Sequence, residues 1–109
     1  RAVTSLAALA QATRLEAFRQ LVQAGPAGLA AGDLAERLGV SPPALSFHLR
    51  GLAQAGLVRP RQRGRFIYYS AAYDAMQSLV DFLTENCCGG AACAPARTPA
   101  RKSTSRRIA

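Results

Sequence analysis

The chain is predicted to adopt a mainly α fold with a small β-hairpin. Two short helices joined by a tight turn, then a basic hairpin, are legible in residues 31–70, AGDLAERLGVSPPALSFHLRGLAQAGLVRPRQRGRFIYYS. Farther on, Met76, Leu79, Val80 and Leu83 recur at helical spacing. Together these predict a winged helix-turn-helix, paired as a homodimer through its first and last helices. Residues 1–86 are expected to form the DNA-binding and dimerisation domain, and residues 87–109 a flexible, basic, cysteine-containing tail.

In chain order, Thr4 or Ser5 is expected to cap a first helix whose Leu6, Leu9 and alanines give a weak apolar stripe. Thr13-Arg14-Leu15-Glu16 has the spacing of a capping box. It opens a second helix with Leu15, Phe18, Leu21 and Val22 facing the core, and Gly25-Pro26 stops it. These two helices read as scaffold. Leu29, Leu34 and Leu38 bracket a third helix ending at Gly39, with Val40 as the apolar residue of the turn. Ser41 caps the fourth helix, and Pro42 takes its first position, where a missing N–H costs nothing.

On that fourth helix Leu45, Leu49 and Leu52 share one face, with His48 at its edge. Pro43, Phe47, Arg50 and Gln54 lie opposite, with Ser46 on the flank. Serine and arginine hydrogen-bond base edges or phosphates, and an aromatic ring contacts a thymine methyl, so this face reads as a recognition surface. Two readings stand for Phe47, a DNA contact or a protein contact, and two for His48, a DNA contact or a hydrogen-bonded residue at the core margin.

The segments 57–61 and 65–70 are β-prone around Gln62-Arg63-Gly64, and Pro60 fits only an edge strand. Arg59, Arg61, Arg63 and Arg65 alternate, as a stripe gripping phosphates or a minor groove would. A fifth helix is expected from about Ala71. Its stripe of Tyr73, Met76, Leu79, Val80 and Leu83 suits either intramolecular core or a dimer seam. With few elements left to cover it, the seam is preferred, formed with Leu6 and Leu9.

The chain has 109 residues, half of them hydrophobic but only 6% aromatic, so one chain's core is thin. The formal charge of +8 favours an anionic partner. Between Leu38 and Tyr73 there are five arginines and no acid, a pattern for a phosphate-binding surface. Arg97, Arg101, Lys102, Arg106 and Arg107 crowd the last thirteen residues, as a nonspecific DNA anchor or a solubilising end. No apolar run approaches a membrane span and no signal-peptide pattern is present, so a cytoplasmic location without membrane association is expected. Three cysteines there read as ligands or sensors rather than a disulfide framework.

The segment VSPPALSFHLRGLAQAGLV followed by RQRGRFIYYS resembles the recognition helix and wing of the ArsR/SmtB family of bacterial homodimeric, metal-responsive repressors. The resemblance runs from about Leu6 to Cys93. It implies that the apo dimer binds double-stranded operator DNA and that a bound metal or metalloid releases it. The recognition-helix residues Ser41, Pro43, Ser46, Phe47, His48 and Arg50 and the four wing arginines are the candidate DNA contacts.

The family's sensor positions are answered unevenly here. No Cys-x-Cys stands before the recognition helix, where the segment reads GLAAGDLAERL, and the last helix has Asp74, Asp81 and Glu85 but no histidine for a zinc-type site. What remains, ENCCGGAAC, resembles the family's C-terminal three-cysteine arsenite site, with Cys87, Cys88 and Cys93 as ligands. Soft thiolates select soft ions, so As(III) or Sb(III) is the expected inducer, with no organic cofactor. Neighbouring cysteines diverge by about 100° in a regular helix, so Cys87 and Cys88 converge only if the helix frays, which Gly89-Gly90 permits. Methylarsenite, cadmium, lead or Cu(I), or a thiol redox switch, remain alternatives. An enzyme is not expected: no cysteine has an arginine six residues later, there is no Cys-x-x-Cys pair, and the single histidine is far from the thiols. A nucleoid-type DNA binder would account for the charge but not for the cysteines.

Overall fold

The computed structural model describes residues 1–91. They fold in the order α1 (Ala2–Leu9), α2 (Ala12–Ala24), β1 (Leu29–Ala30), α3 (Ala31–Leu38), α4 (Pro42–Gln54), β2 (Val58–Arg63), β3 (Phe66–Ala71) and α5 (Tyr73–Leu83), with a 3₁₀ turn at Cys87–Gly90. This is the mainly helical winged helix-turn-helix that the sequence predicts. No helix among the described residues is long and apolar enough to cross a membrane.

Leucine supplies most of the core. Leu21 of α2, Leu34 of α3, Leu45, Leu49 and Leu52 of α4, and Leu57 before β2 are fully buried. Ala8, Ala17, Phe18, Ala35, Val58 and Ala71 complete the cluster, and no described polar or charged residue is buried. Each buried leucine removes apolar surface worth about 1.5–3 kcal/mol from water. α4 contributes three of the six, so the helix that presents the candidate reading face is also the one most firmly seated.

The helix starts differ from expectation. α1 begins at Ala2, with Ser5 N–H already bonded to the Arg1 carbonyl at 3.0 Å, so Thr4 and Ser5 lie within the helix and cap nothing. The capping box does not form. Gln11 takes the extended cap conformation, and its side-chain oxygen accepts the Arg14 N–H at 2.9 Å, which leaves Thr13 inside α2. Glu16 instead accepts from Gln20 and pairs with Arg19. Leu15 stays 44% exposed. At 100° per residue it lies about 110° from the centre of the arc of Ala17, Phe18 and Leu21 that faces the core.

The hairpin is part of a three-stranded antiparallel sheet with order β1-β3-β2. Leu29, expected to bracket the third helix with Leu34 and Leu38, instead lies in β1, where Leu29 and Ala30 pair with Tyr69 and Tyr68. Two residues are too few for alternation to show in a sequence. β2 is an edge strand, which accommodates Pro60 opposite Tyr69. α5 starts at Tyr73 rather than Ala71, because Ala71 ends β3 in register with Val58. The Ala72 N–H then bonds the Leu57 carbonyl at 2.8 Å.

No residue of α5 is fully buried. Tyr73, Ala75 and Met76 pack against the chain's own core, as does Leu9 of α1, and the Tyr73 hydroxyl donates to the Val22 carbonyl at 3.1 Å. Val80, Phe82 and Leu83 on α5, and Val3 and Leu6 on α1, are exposed. α1 packs against α5, so the two helices that carry these exposed side chains are neighbours.

Candidate nucleic-acid interface

The turn between α3 and α4 is fixed by its backbone. Gly39 adopts φ 68°, a left-handed conformation that only glycine takes without strain. The Gly39 and Val40 N–H groups cap the Glu36 and Ala35 carbonyls at 3.2 and 3.1 Å, a Schellman closure. Ser41 Oγ then accepts the Ala44 N–H at 3.3 Å and opens α4, with Pro42 at its first position. With Leu45, Leu49 and Leu52 turned inward, α4 presents Pro43, Phe47, Arg50 and Gln54 outward. Phe47 is 57% exposed. Ser46 and His48 are half-buried on the flanks.

His48 has a partner that the sequence did not reveal. Its Nδ1 accepts a hydrogen bond from Nε of Arg14, on α2, at 3.2 Å. The same guanidinium lies 5.6 Å from the centroid of the Phe47 ring, and Phe47 meets His48 edge-to-face at 5.5 Å. Arg14 crosses α4 at Gly51, where a Cβ would lie 2.7–2.9 Å from its guanidinium atoms. A glycine inside a helix costs about 0.5–1 kcal/mol relative to alanine, and room for Arg14 is what this one provides. The one sequence signal for Arg14 was that mid-helix glycine, four residues after Phe47 and three after His48.

On the wing, Arg61 and Arg63 extend from the exposed edge strand and the Arg63 guanidinium lies 5.3 Å from the Tyr68 ring centroid. Arg65 sits in the turn after Gly64, so the alternating stripe on β2 is Arg59, Arg61 and Arg63. Arg59 is directed elsewhere. Its Nη2 donates to both carboxylate oxygens of Asp74, in the first turn of α5, at 2.8 and 2.9 Å. That bond holds the Asp74 carboxyl below its ordinary value.

Beyond α5 the chain turns through Asn86 and Cys88, both in the left-handed region at φ 56° and 57°. This places the exposed Cys87 and Cys88 sulfurs 3.7 Å apart. Cys93, and the basic residues from Arg97 onward, lie outside the described residues. Among the described residues no three His, Cys, Asp or Glu side chains gather into a metal-sized group.

A helix-turn-helix domain model matches residues 9–61, from the end of α1 into β2. An ArsR-like transcriptional regulator from Rhodococcus sp. RHA1 superposes with a TM-score of 0.70 and 31% identity, over 82% of this chain and 81% of that one. The chain belongs to the ArsR family of winged-helix transcriptional regulators. Among curated relatives, the transcriptional activator HlyU of Vibrio cholerae is 31% identical over 83 residues, 76% of this chain and 74% of HlyU. The transcriptional repressor SdpR of Bacillus subtilis is 36% identical over 55 residues, half of this chain, and the match spans 61% of SdpR. As an ArsR-family member the chain is a DNA-binding transcriptional regulator, and α3 and α4 are the helices of its helix-turn-helix.

Proposed function

We propose that the chain acts as a homodimeric repressor that occupies operator DNA in the apo state and leaves it when As(III) or Sb(III) is bound by Cys87, Cys88 and Cys93. One observation carries the reading: the Cys87 and Cys88 sulfurs lie 3.7 Å apart where a continued α5 would have splayed them. Two thiolates sharing one ion at roughly 2.3 Å sit about 3–4 Å from each other. The all-sulfur donor set suits a soft ion. With arsenous acid, each of three thiols loses its proton to a departing hydroxide, so three As–S bonds form and three waters leave.

Exposed apolar side chains on the first and last helices support the dimer. Val3, Leu6, Val80 and Leu83 are exposed, and a second copy that covered them would supply the core a single chain lacks. Pairing across α1 and α5 presents two copies of α4 to successive major grooves, roughly 34 Å apart. Cys87 and Cys88 follow Leu83 by four and five residues, so an ion that ties them together acts on the end of the dimer helix. Linkage then demands that DNA weaken ion binding by the same factor by which the ion weakens DNA binding.

Fluorescence anisotropy of a labelled operator under arsenite titration tests the reading. Dissociation at three sulfurs per protomer, counted by X-ray absorption, supports it. Release by peroxide without any response to arsenite assigns the thiols to redox sensing, and tighter DNA binding on arsenite addition makes the chain an activator-type switch.

A further inference from the structure

We propose that Arg14, on α2, is a second anchor for nucleic acid: with Arg50 it makes the groove between α1 and α4 a site for a backbone phosphodiester of the DNA that α4 reads. The inference rests on that reading role of α4. The groove is open, about 460 Å³, and Thr4, Arg14, Phe47, Arg50 and Gln54 line it with small residues and no acid. Among the described residues neither Arg14 nor Arg50 forms an ion pair, whereas Arg19 and Arg59 do. Two arginines converging on one groove without a carboxylate form an anion site, and guanidinium matches phosphate oxygens bidentately.

The placement of Arg14 decides which anion. Its Nε is committed to His48 and its plane lies near the Phe47 ring, which leaves the two terminal nitrogens, beside Gly51, to face the groove. Phe47, Arg50 and Gln54 belong both to the groove and to the exposed face of α4. A DNA strand lying along that face therefore passes over Arg14. The bond from Arg14 also makes Nδ1 of His48 the acceptor nitrogen, so the imidazole proton resides on Nε2 as a donor at the flank of the reading face. Arg14 is thus both a phosphate contact and a positioning residue for His48 and Phe47.

The test measures affinity for the operator and for a mixed-sequence duplex across a salt series, using wild type, Arg14→Gln, Arg14→Lys and Gly51→Ala. Arg14→Gln is expected to weaken both duplexes by a similar factor and to reduce the slope of log K against log salt by about one per protomer. Arg14→Lys is expected to keep the slope. Gly51→Ala, which displaces the guanidinium without removing charge, is expected to weaken both duplexes while the protein keeps its helical signal. In the imidazole nitrogen spectrum Arg14→Gln is expected to replace the single His48 tautomer by a mixture. An unchanged salt slope in folded Arg14→Gln overturns the proposal, even if its melting temperature falls. A saturable shift of the Arg14 Nε–H signal by inorganic phosphate alone, with the DNA slope unchanged, overturns it in favour of a free anion. Failure of the wild type to bind either duplex overturns the reading role of α4 as well.

Discussion

Arg59 and Asp74 join the wing to the last helix: one guanidinium nitrogen lies 2.8 and 2.9 Å from the two carboxylate oxygens. The edge strand and α5, which Cys87 and Cys88 follow in the chain, are therefore connected by a charge-assisted bond.

That bond has a pH signature. The hydrogen bond from Arg59, ahead of the other influences, holds the Asp74 carboxyl below its ordinary value of 3.8. A depressed carboxylate contributes stability that is complete above the ordinary value and is lost as pH falls through the lowered one. An NMR titration of the Asp74 carboxyl carbon is expected to give a midpoint below 3.8, and Arg59→Ala to move it back towards that value. A wild-type midpoint at or above 3.8 contradicts the pairing.

Leu49 is fully buried at the centre of α4. Leu49→Ala removes packing on every side and is expected to cost about 2–5 kcal/mol, read from denaturant unfolding. Pro43, on the opposite face of the helix, is exposed. Pro43→Ala is expected to change stability by no more than about 0.5 kcal/mol. Equal losses for the two would place the buried face wrongly.

Arg50 faces outward on α4 with no ion pair among the described residues. Arg50→Ala is expected to weaken operator binding at every arsenite concentration without altering ion affinity in the absence of DNA. With Arg50 as Arg14's partner at a phosphodiester, operator and mixed sequence are expected to weaken alike, whereas a loss of about 1–3 kcal/mol confined to the operator would make Arg50 a base contact instead. Calorimetry with arsenite and anisotropy with both duplexes separate these effects.

The exposed apolar side chains of α5 offer a test of assembly. Val80 and Leu83 are 46% and 59% exposed. A Val80→Asp, Leu83→Asp double variant is expected to sediment as a monomer and to lose operator affinity while keeping its helical signal. A dimer that survives both changes places the seam elsewhere.

How far the sequence foretold this molecule depended on the length of each signal. α4 was fully legible, because Ser41, Pro42 and the leucines at 45, 49 and 52 repeat one message over three turns. The edge position of β2 followed from Pro60 alone. Two-residue β1 carried no periodicity, and only its pairing with Tyr68 and Tyr69 makes it a strand. The cap of α2 went to Gln11, two residues before Thr13, because its side chain in an extended backbone reaches the Arg14 N–H and starts the helix ahead of the expected capping box. At the site, the outward face of α4 was legible from helical spacing. Arg14 and Asp74 were not, since each acts through a contact 34 or 15 residues away in the chain. Phe82, exposed on α5 outside the stripe that spacing singled out, was also passed over.

The central claim is that occupation of the thiols at the end of α5 controls the grip of α4 on DNA. It is tested most directly by titrating arsenite into the protein–operator complex while following anisotropy, with wild type and with Cys87→Ser, Cys88→Ser and Cys93→Ser singly. The wild-type complex is expected to dissociate, and each variant to bind the operator with wild-type affinity yet stay bound. A wild-type complex that keeps its DNA affinity with arsenite saturating all three thiols would contradict it.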